Sequence, residues 1–366
     1  MIVKSLELSN FRNYETLSLC FSKENNILYG DNAQGKTNVL EAIFLCATTK
    51  SHKGSKEKEM IRLGEEDSHI RMFVERDSIT HRLDMHLKKN KPKGVAIDGI
   101  PIKKSAELFG IVNVVFFSPE DLSIIKDGPS ERRRFIDMEL CQLDRVYLHN
   151  LINYNKVLNQ RNNLLKQIGF NKGLLDTIYV WNEQLVNYGT QIIKARSQFV
   201  QNINEIVVNL HQKLSDGREH LYIAYEPNTS ADEFATKLEK SLERDIALKV
   251  TNVGPQRDDL SFYVNDRDIR KFGSQGQQRT AALSLKLSEI ELVKKITGDK
   301  PVLLLDDVLS ELDRNRQNQL LDSIADIQII LTCTGVEEFV TKRMKTEKIY
   351  KVTNGSVKEE IEETAR

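Results

Sequence analysis

One stretch constrains this chain more than any other: Gly30-Asp31-Asn32-Ala33-Gln34-Gly35-Lys36-Thr37, of the form G-x-x-x-x-G-K-[S/T]. It follows a short β-branched and aromatic run, Ile27-Leu28-Tyr29. It precedes apolar residues at helical spacing: Val39, Leu40, Ala42, Ile43 and Leu45. Strand, loop and helix in that order are the setting a phosphate-binding loop requires. The glycines let successive backbone N–H groups turn inward toward phosphate oxygens, and the helix that follows offers its positive end to the same anion. In that reading Gly30 to Thr37, with Asn38 just behind, bind a nucleotide. Lys36 reaches its β- and γ-phosphates, and the Thr37 hydroxyl sits on Mg²⁺.

Composition narrows the setting. At 366 residues with 40% hydrophobic and 29% charged content, the chain reads as soluble and globular, with room for one large or two modest domains. No apolar run is long enough for a transmembrane helix. The start, Met1 to Leu8, alternates and carries charge, so it reads as a strand and not a signal peptide. Four scattered cysteines (Cys20, Cys46, Cys141, Cys333) suit buried thiols in a reducing cytoplasm rather than a zinc site or disulfides. Net charge is zero, so any nucleic-acid surface must be local.

Along the chain, Val3–Leu8 and Leu17–Phe21 read as strands around a turn, Asn10 to Tyr14, which carries Arg12. After the loop helix, residues 49–58 are polar and locally basic. Lys50, Lys53 and Lys56 there are either solvated or contacts to a phosphate backbone. Residues 70–75, 81–87 and 93–98 alternate as strands, with Pro92 and the Lys88-Lys89-Asn90-Lys91 cluster as a turn, and Val112–Phe117 is another strand. From Pro119 to about residue 245 helical periodicity dominates. Ser130 is the expected N-cap, and long helices are expected over 140–168 and 174–214 with Gly169 and Gly173 between them. Arg132, Arg133 and Arg134 near that helix start oppose its dipole, which a bound anion or acidic neighbours would relieve. No C-x-x-C hook and no sustained heptad occurs, so this is a compact insert and not a coiled-coil arm. A strand at 221–225, a helix at about 232–245, and strands at 247–250 and 260–264 follow. The expected division is therefore 1–118 and 246–366 for the nucleotide-binding head, and 119–245 for a helical second lobe.

Three further groups carry chemistry. Val302-Leu303-Leu304-Leu305 reads as a strand buried on both faces, ending in Asp306 and Asp307 where open α/β sheets bind ligands. Asp306 is placed to hold Mg²⁺, and Asp307 to orient or polarise an attacking water. Lys271 to Thr280, containing Ser274-Gln275-Gly276-Gln277, opens a long helix and forms a second anion site. One nucleotide needs one such loop, so Ser274 and Gly276 are read as serving a nucleotide held by another subunit. Ser310-Glu311-Leu312-Asp313 is either a solvated turn or a loop at a dimer axis.

Together these residues resemble the ATP-binding-cassette heads of the SMC-like group. Within it, Asn10 to Tyr14, Gly30 to Thr37, Phe117 to Leu122, Ser130 to Asp137, Gly254 to Asp259 and Gln275 to Arg279 are similar to the RecF family of bacterial recombination mediators, over residues 2 to about 335. The resemblance implies an ABC-type P-loop ATPase head, a mixed sheet with flanking helices and a compact helical insert. It implies an ATP-dependent homodimer in which Ser274, Gly276 and Gln277 touch the γ-phosphate in trans, with Ser310 and Asp313 near the dimer axis. Arg12 then lies near the phosphates in cis, and Lys36 and Asp307 are the catalytic candidates. It further implies binding of double-stranded and gapped DNA, slow ATP hydrolysis, RecR and RecO as partners, and a place on the nucleoid. Lys50, Lys53, Lys56, Arg132 and Arg133 are the candidate DNA contacts on local charge. Three positions depart from the general cassette pattern. Asp307 stands where transporters have Glu, Thr332-Cys333-Thr334 where a switch histidine is usual, and Ser118-Pro119 where a metal-contacting Gln is usual. Two alternatives are a transporter nucleotide-binding subunit and a P-loop kinase. The helical stretch between Lys36 and Ser274 disfavours the first, and the absence of N-K-x-D weighs against a GTPase form of the second.

Overall fold

The structure is a computed structural model, and it describes residues 1–168, 170–324, 326–335 and 346–360. From the N-terminus, β1 (Ile2–Phe11) and β2 (Tyr14–Cys20) pair, and β3 (Asn25–Tyr29) leads through the phosphate loop into α1 (Lys36–Thr48). After the short α2 (Glu57–Met60) come β4 (Asp67–Arg76), β5 (Ile79–Lys88), β6 (Lys91–Ile97), β7 (Ile100–Pro101) and β8 (Val114–Phe117). Then follow α3 (Leu122–Lys126), α4 (Pro129–Leu143), α5 (Arg145–Ile168), α6 (Ile178–Leu214) and β9 (Leu221–Glu226). Next are α7 (Phe234–Lys240), α8 (Leu242–Leu248), β10 (Asp259–Val264), β11 (Arg267–Asp268), α9 (Ile269–Phe272) and α10 (Gln275–Thr297). The last segment holds β12 (Val302–Asp306), α11 (Arg314–Ser323), β13 (Ile329–Cys333), β14 (Thr346–Thr353) and β15 (Ser356–Glu360).

These elements form two compact units, residues 1–121 with 289–366, and residues 122–288. The first unit has two six-stranded sheets. One is antiparallel, in the order β2-β1-β4-β5-β6-β7; the other runs β15-β14-β3-β13-β12-β8, parallel from β14 to β8 with β15 antiparallel at its edge. The expected antiparallel part and parallel core are thus separate sheets. The residue pattern explains the split. Val302 to Leu305, Ile27, Leu28 and Ile329 to Leu331 are buried on both faces, as a covered parallel sheet demands. In β1 only Val3, Leu6, Leu8 and Phe11 are buried, with a bulge between Val3 and Ser5 that resets the alternation. The parallel order places the C-terminal ends of β3 and β12 on either side of β13, so the phosphate loop and Asp306 share one sheet edge.

The second unit packs α5 along α6 and lays a three-stranded antiparallel sheet, β11-β10-β9, against α6. This sheet was not foreseen in a lobe expected to be helical. It also holds the returning chain in this unit, so the division falls at 288/289 and not at the expected 245/246. Residues 247–248 end α8 instead of starting a strand, and the single helix expected over 232–245 is two. Gly128, not Ser130, caps α4, with Pro129 at the first helical position where its missing N–H costs nothing. The helix expected over 140–168 breaks at Asp144, whose side chain accepts from Val146 N–H at 2.7 Å. Gly169 lies outside the described residues, as does the tail beyond Glu360.

Candidate nucleotide site

The phosphate loop is shaped by backbone that only glycine tolerates. Gly30 and Gly35 have φ of 152° and 115°. A Cβ on Gly30 would sit on the Val352 carbonyl, and one on Gly35 would lie 2.6 Å from Asn13 Nδ2 and 2.9 Å from Tyr14 Oη. The turn before β2 braces the loop from outside. Asn13 Nδ2 donates to Gln34 O (2.8 Å), Tyr14 Oη to Gly35 O (3.1 Å), and Asn38 Nδ2 to Asn13 Oδ1 (2.8 Å). The β14–β15 turn completes the brace, with Asn354 N–H on Gln34 Oε1 and Gly355 N–H on Gln34 O. Asp31, Asn32 and Ala33 form the exposed crest.

Lys36 is 4% exposed, and its ammonium donates to Gly30 O (2.6 Å) and Asp31 O (3.0 Å), folded over the loop it belongs to. Thr37 Oγ1 donates to Asp306 Oδ1 at 2.8 Å, across 269 positions of sequence. The same oxygen accepts from Thr332 Oγ1 at 2.8 Å, and Thr332 Oγ1 accepts from Asp307 N–H at 3.0 Å. Thr332, in the segment where a switch histidine is usual, therefore ties both acidic positions together. Asp307 has φ of 50°, and its Oδ1 is buried with no hydrogen-bond partner. Burial pushes the Asp307 carboxyl up; the Lys36 charge opposes this and the Asp306 charge adds to it. A hydroxyl and a carboxylate 2.8 Å apart, with a second carboxylate oxygen unpartnered beside them, are the hard oxygen donors that suit Mg²⁺.

Arg12 takes a left-handed backbone conformation (φ 53°) and aims its guanidinium at Glu41 on α1. Nε and Nη2 donate to the two Glu41 oxygens at 2.8 Å each, Nη2 also reaches Ser55 Oγ, and Nη1 reaches Glu59 O. Glu41 is 1% exposed and also accepts from Ser51 Oγ at 2.6 Å. Burial alone would raise its carboxyl, but Arg12 and Ser51 outweigh that and hold it below the usual range. Arg12 thus anchors the 49–60 segment to the phosphate-loop helix.

In the second unit, Ser274 is exposed at the start of α10 and forms a reciprocal cap. Gln277 N–H donates to Ser274 Oγ (3.2 Å), and Ser274 N–H to Gln277 Oε1 (3.0 Å). Gly276 sits half-buried in the first turn. Ser310 is exposed and donates to Asp307 O (2.7 Å), while Asp313 caps α11 through Arg316 N–H (3.0 Å).

Among the candidate DNA contacts, Lys50, Lys53 and Lys56 are exposed. Lys93 donates to Thr49 O (2.6 Å) and pairs with Glu57 (2.8 Å), which sets the β5–β6 hairpin with Lys88, Lys89 and Lys91 beside them. The cluster 88–91, expected only as a turn, is therefore part of the same basic surface. Arg132 does not fit its expected role. It is 1% exposed, with Nε and Nη2 on Asp259 and Nη1 on the carbonyls of Ile124 and Asp127. Acidic neighbours, not an anion from solution, relieve its position near the helix start. Arg133 is half-buried, with Nη1 on Asp258 O. Sequence reasoning also missed Asn13, Tyr14, Glu41 and Thr332, none of which lies within the motif it serves.

Comparison with known proteins places this geometry. The family model described as RecF/RecN/SMC N terminal domain matches residues 2–358. The DNA replication and repair protein RecF of Lachnoclostridium phytofermentans is 74% identical over 357 residues, covering 98% of this chain and 99% of the relative. That of Lachnospira eligens is 60% identical over 359 residues, with the same coverage of each chain. A solved structure of the recombination mediator RecF with ATP, from the RecFOR pathway, superimposes with a TM-score of 0.92 at 36% identity, covering 98% of this chain and 97% of that one. An Smc head bound to the C-winged helix domain of ScpA shares the fold at 16% identity and a TM-score of 0.59, covering 100% of this chain and 99% of that one. With a family model spanning almost the whole chain and relatives this close over their full lengths, the chain belongs to the RecF family.

Proposed function

We propose that this chain is an ATP-switched, DNA-binding dimer of replication and recombinational repair. The Thr37–Asp306 hydrogen bond carries the reading, because it brings the phosphate-loop hydroxyl and the strand-end carboxylate to one point. The solved RecF–ATP complex supports ATP as the nucleotide. Gly30 to Asn38 cradle the phosphates through their backbone, Lys36 leaves the loop carbonyls for the β- and γ-phosphate oxygens, and Arg12 holds the neighbouring segment against α1. Thr37 and Asp306 hold Mg²⁺, which neutralises phosphate charge when bound. Ser274, Gly276 and Gln277 of a second copy close over the γ-phosphate, with Ser310 and Asp313 near the two-fold axis. Asp307 takes the proton of an attacking water. Its short reach suits slow hydrolysis, so the nucleotide acts as a timer for dimer release.

Lys50, Lys53, Lys56 and the β5–β6 hairpin offer the phosphate backbone of double-stranded or gapped DNA a local basic surface on a chain of zero net charge. Arg133 keeps part of its surface, and its role as a DNA contact is secondary to its bond with Asp258. The RecFOR pathway named for the solved relatives supports RecO and RecR as partners in loading recombinase, in the bacterial cytoplasm. Light scattering without nucleotide, with ADP and with a non-hydrolysable ATP analogue tests the switch. The expected result is monomer, monomer and dimer. Monomer in all three would overturn it and favour a phosphotransferase acting on a small acceptor.

A further inference from the structure

The signature residue Gln277 is held at both ends of its amide. Its Oε1 must face Ser274, because Ser274 offers an N–H there. The amide is therefore oriented without ambiguity, and Nε2 points the other way, to Glu219 Oε1 at 2.9 Å. Glu219 belongs to the turn between α6 and β9, and its placement is itself determined. Asp216 and Gly217 take positive φ (52° and 74°), and Glu219 N–H donates to Ser215 Oγ at 3.2 Å. The other carboxylate oxygen lies 3.3 Å from His211 Nε2, on a ring that is fully buried. His211 Nδ1 meets Ser284 Oγ at 2.8 Å. The Ser284 hydroxyl gives its own proton to Thr280 O (2.7 Å), and Thr280 Oγ1 donates to Gly276 O (2.8 Å). The chain of contacts leaves the signature at Gln277, runs through Glu219 and His211, and returns along α10 to Gly276. No motif in the sequence marks Glu219.

We propose that Glu219 is a positioning residue for the signature segment. It holds the Gln277 amide, and through the reciprocal cap it holds Ser274, in the orientation that meets a nucleotide γ-phosphate carried by a second copy of the chain. This rests on the two-subunit sandwich proposed above. The physical reason is preorganisation. A free Gln side chain must lose rotamer freedom when the partner arrives, whereas one already fixed by a charged acceptor does not. Glu219 uses one of the two Nε2 protons and leaves the second for the incoming phosphate.

The test uses the full-length chain and a non-hydrolysable ATP analogue, with two readouts: analogue affinity of the dilute monomer, and the protein concentration at half-dimerisation. E219A removes the acceptor, and E219D withdraws it by one methylene while keeping the charge near His211. Both are expected to leave monomer affinity unchanged and to weaken dimerisation by about tenfold for each of the two symmetric sites, on the order of a hundredfold in all. E219Q keeps an acceptor oxygen and is expected within about threefold of wild type. Q277A combined with E219A is expected to be no weaker than Q277A alone, because the two act as one unit. Melting followed by Trp181 fluorescence checks that the second unit is folded, and E219D decides should E219A fail that check. Wild-type dimerisation by E219A and E219D, tighter dimerisation by either, or full additivity with Q277A would each overturn the proposal. S274R separates the two levels: if it still dimerises with the analogue, the sandwich itself is wrong, whatever Glu219 does.

Discussion

Asp307 holds a carboxylate where its surroundings work against the charge. Burial penalises ionisation, Asp306 adds a like charge, and Lys36 compensates only in part. Its pKa is raised on folding, so the folded state resists deprotonation more than the unfolded chain does. The stability contribution of this group is therefore greatest while it is protonated, and it is lost as pH rises from the unfolded value through the folded one. Asp307→Asn removes that penalty. It is expected to melt higher than the wild type at pH 7 to 8, with the difference closing as pH falls below the ordinary carboxylate range. The same variant loses the proposed proton acceptor and is expected to hydrolyse ATP on the order of a hundredfold more slowly. A pH series of melting curves alongside a phosphate-release assay measures both. A variant melting lower at every pH would mean that the carboxylate makes a stabilising contact that its buried, unpartnered oxygen does not reveal.

At the scale of elements, the second unit is tied by buried ion pairs that join distant motifs. Arg196 on α6 is 2% exposed, and its guanidinium reaches Asp258 (2.9 Å), Asp137 (2.8 Å) and Pro255 O (2.6 Å). Tyr225 donates to the same Asp258, and Arg132 forks onto Asp259. The Gly254 to Asp259 run and the Ser130 to Asp137 run are thus two halves of one internal clamp. Replacing Arg196 with Met leaves two carboxylates without their cation and is expected to cost about 3–5 kcal/mol. Trp181, the chain's single tryptophan, lies on α6 and reports on this unit. Urea titration followed by its fluorescence should show the midpoint falling. A change below about 1 kcal/mol would mean that the clamp contributes little net stability, as some buried ion pairs do.

For the whole molecule the question is where a neutral chain presents positive charge. The described surface concentrates it on the 49–58 segment and the β5–β6 hairpin, held together by Lys93. Lys53→Ala and Lys91→Ala are each expected to weaken duplex DNA binding and to flatten the log affinity against log salt slope by about 1. Arg132→Ala is expected to lower stability and leave that slope unchanged, because its guanidinium already forks onto Asp259 and two carbonyls. Fluorescence anisotropy of a labelled duplex across a salt series separates the two behaviours. An Arg132 variant with a flattened slope would return that residue to the DNA surface.

The sequence by itself determined the parts whose backbone demands leave a local trace. Gly30 and Gly35 must turn where a side chain cannot fit, Val302 to Leu305 must be covered on both faces, and Ser274 with Gln277 must cap a helix. Each of those needs selects residue types at fixed spacing, so each was legible. The tertiary structure decided whatever depends on a partner far along the chain. Asn13 and Tyr14 brace the phosphate loop, Glu41 receives Arg12, and Thr332 joins the two acidic positions. It also withdrew Arg132 from the surface, because only the fold brings Asp259 to it. The three-stranded sheet moved the unit boundary for the same reason, since a strand's neighbour is chosen by long-range pairing and not by its own residues. Short-range spacing records what a backbone must do locally, and a buried charge or a braced loop is settled only when distant residues meet.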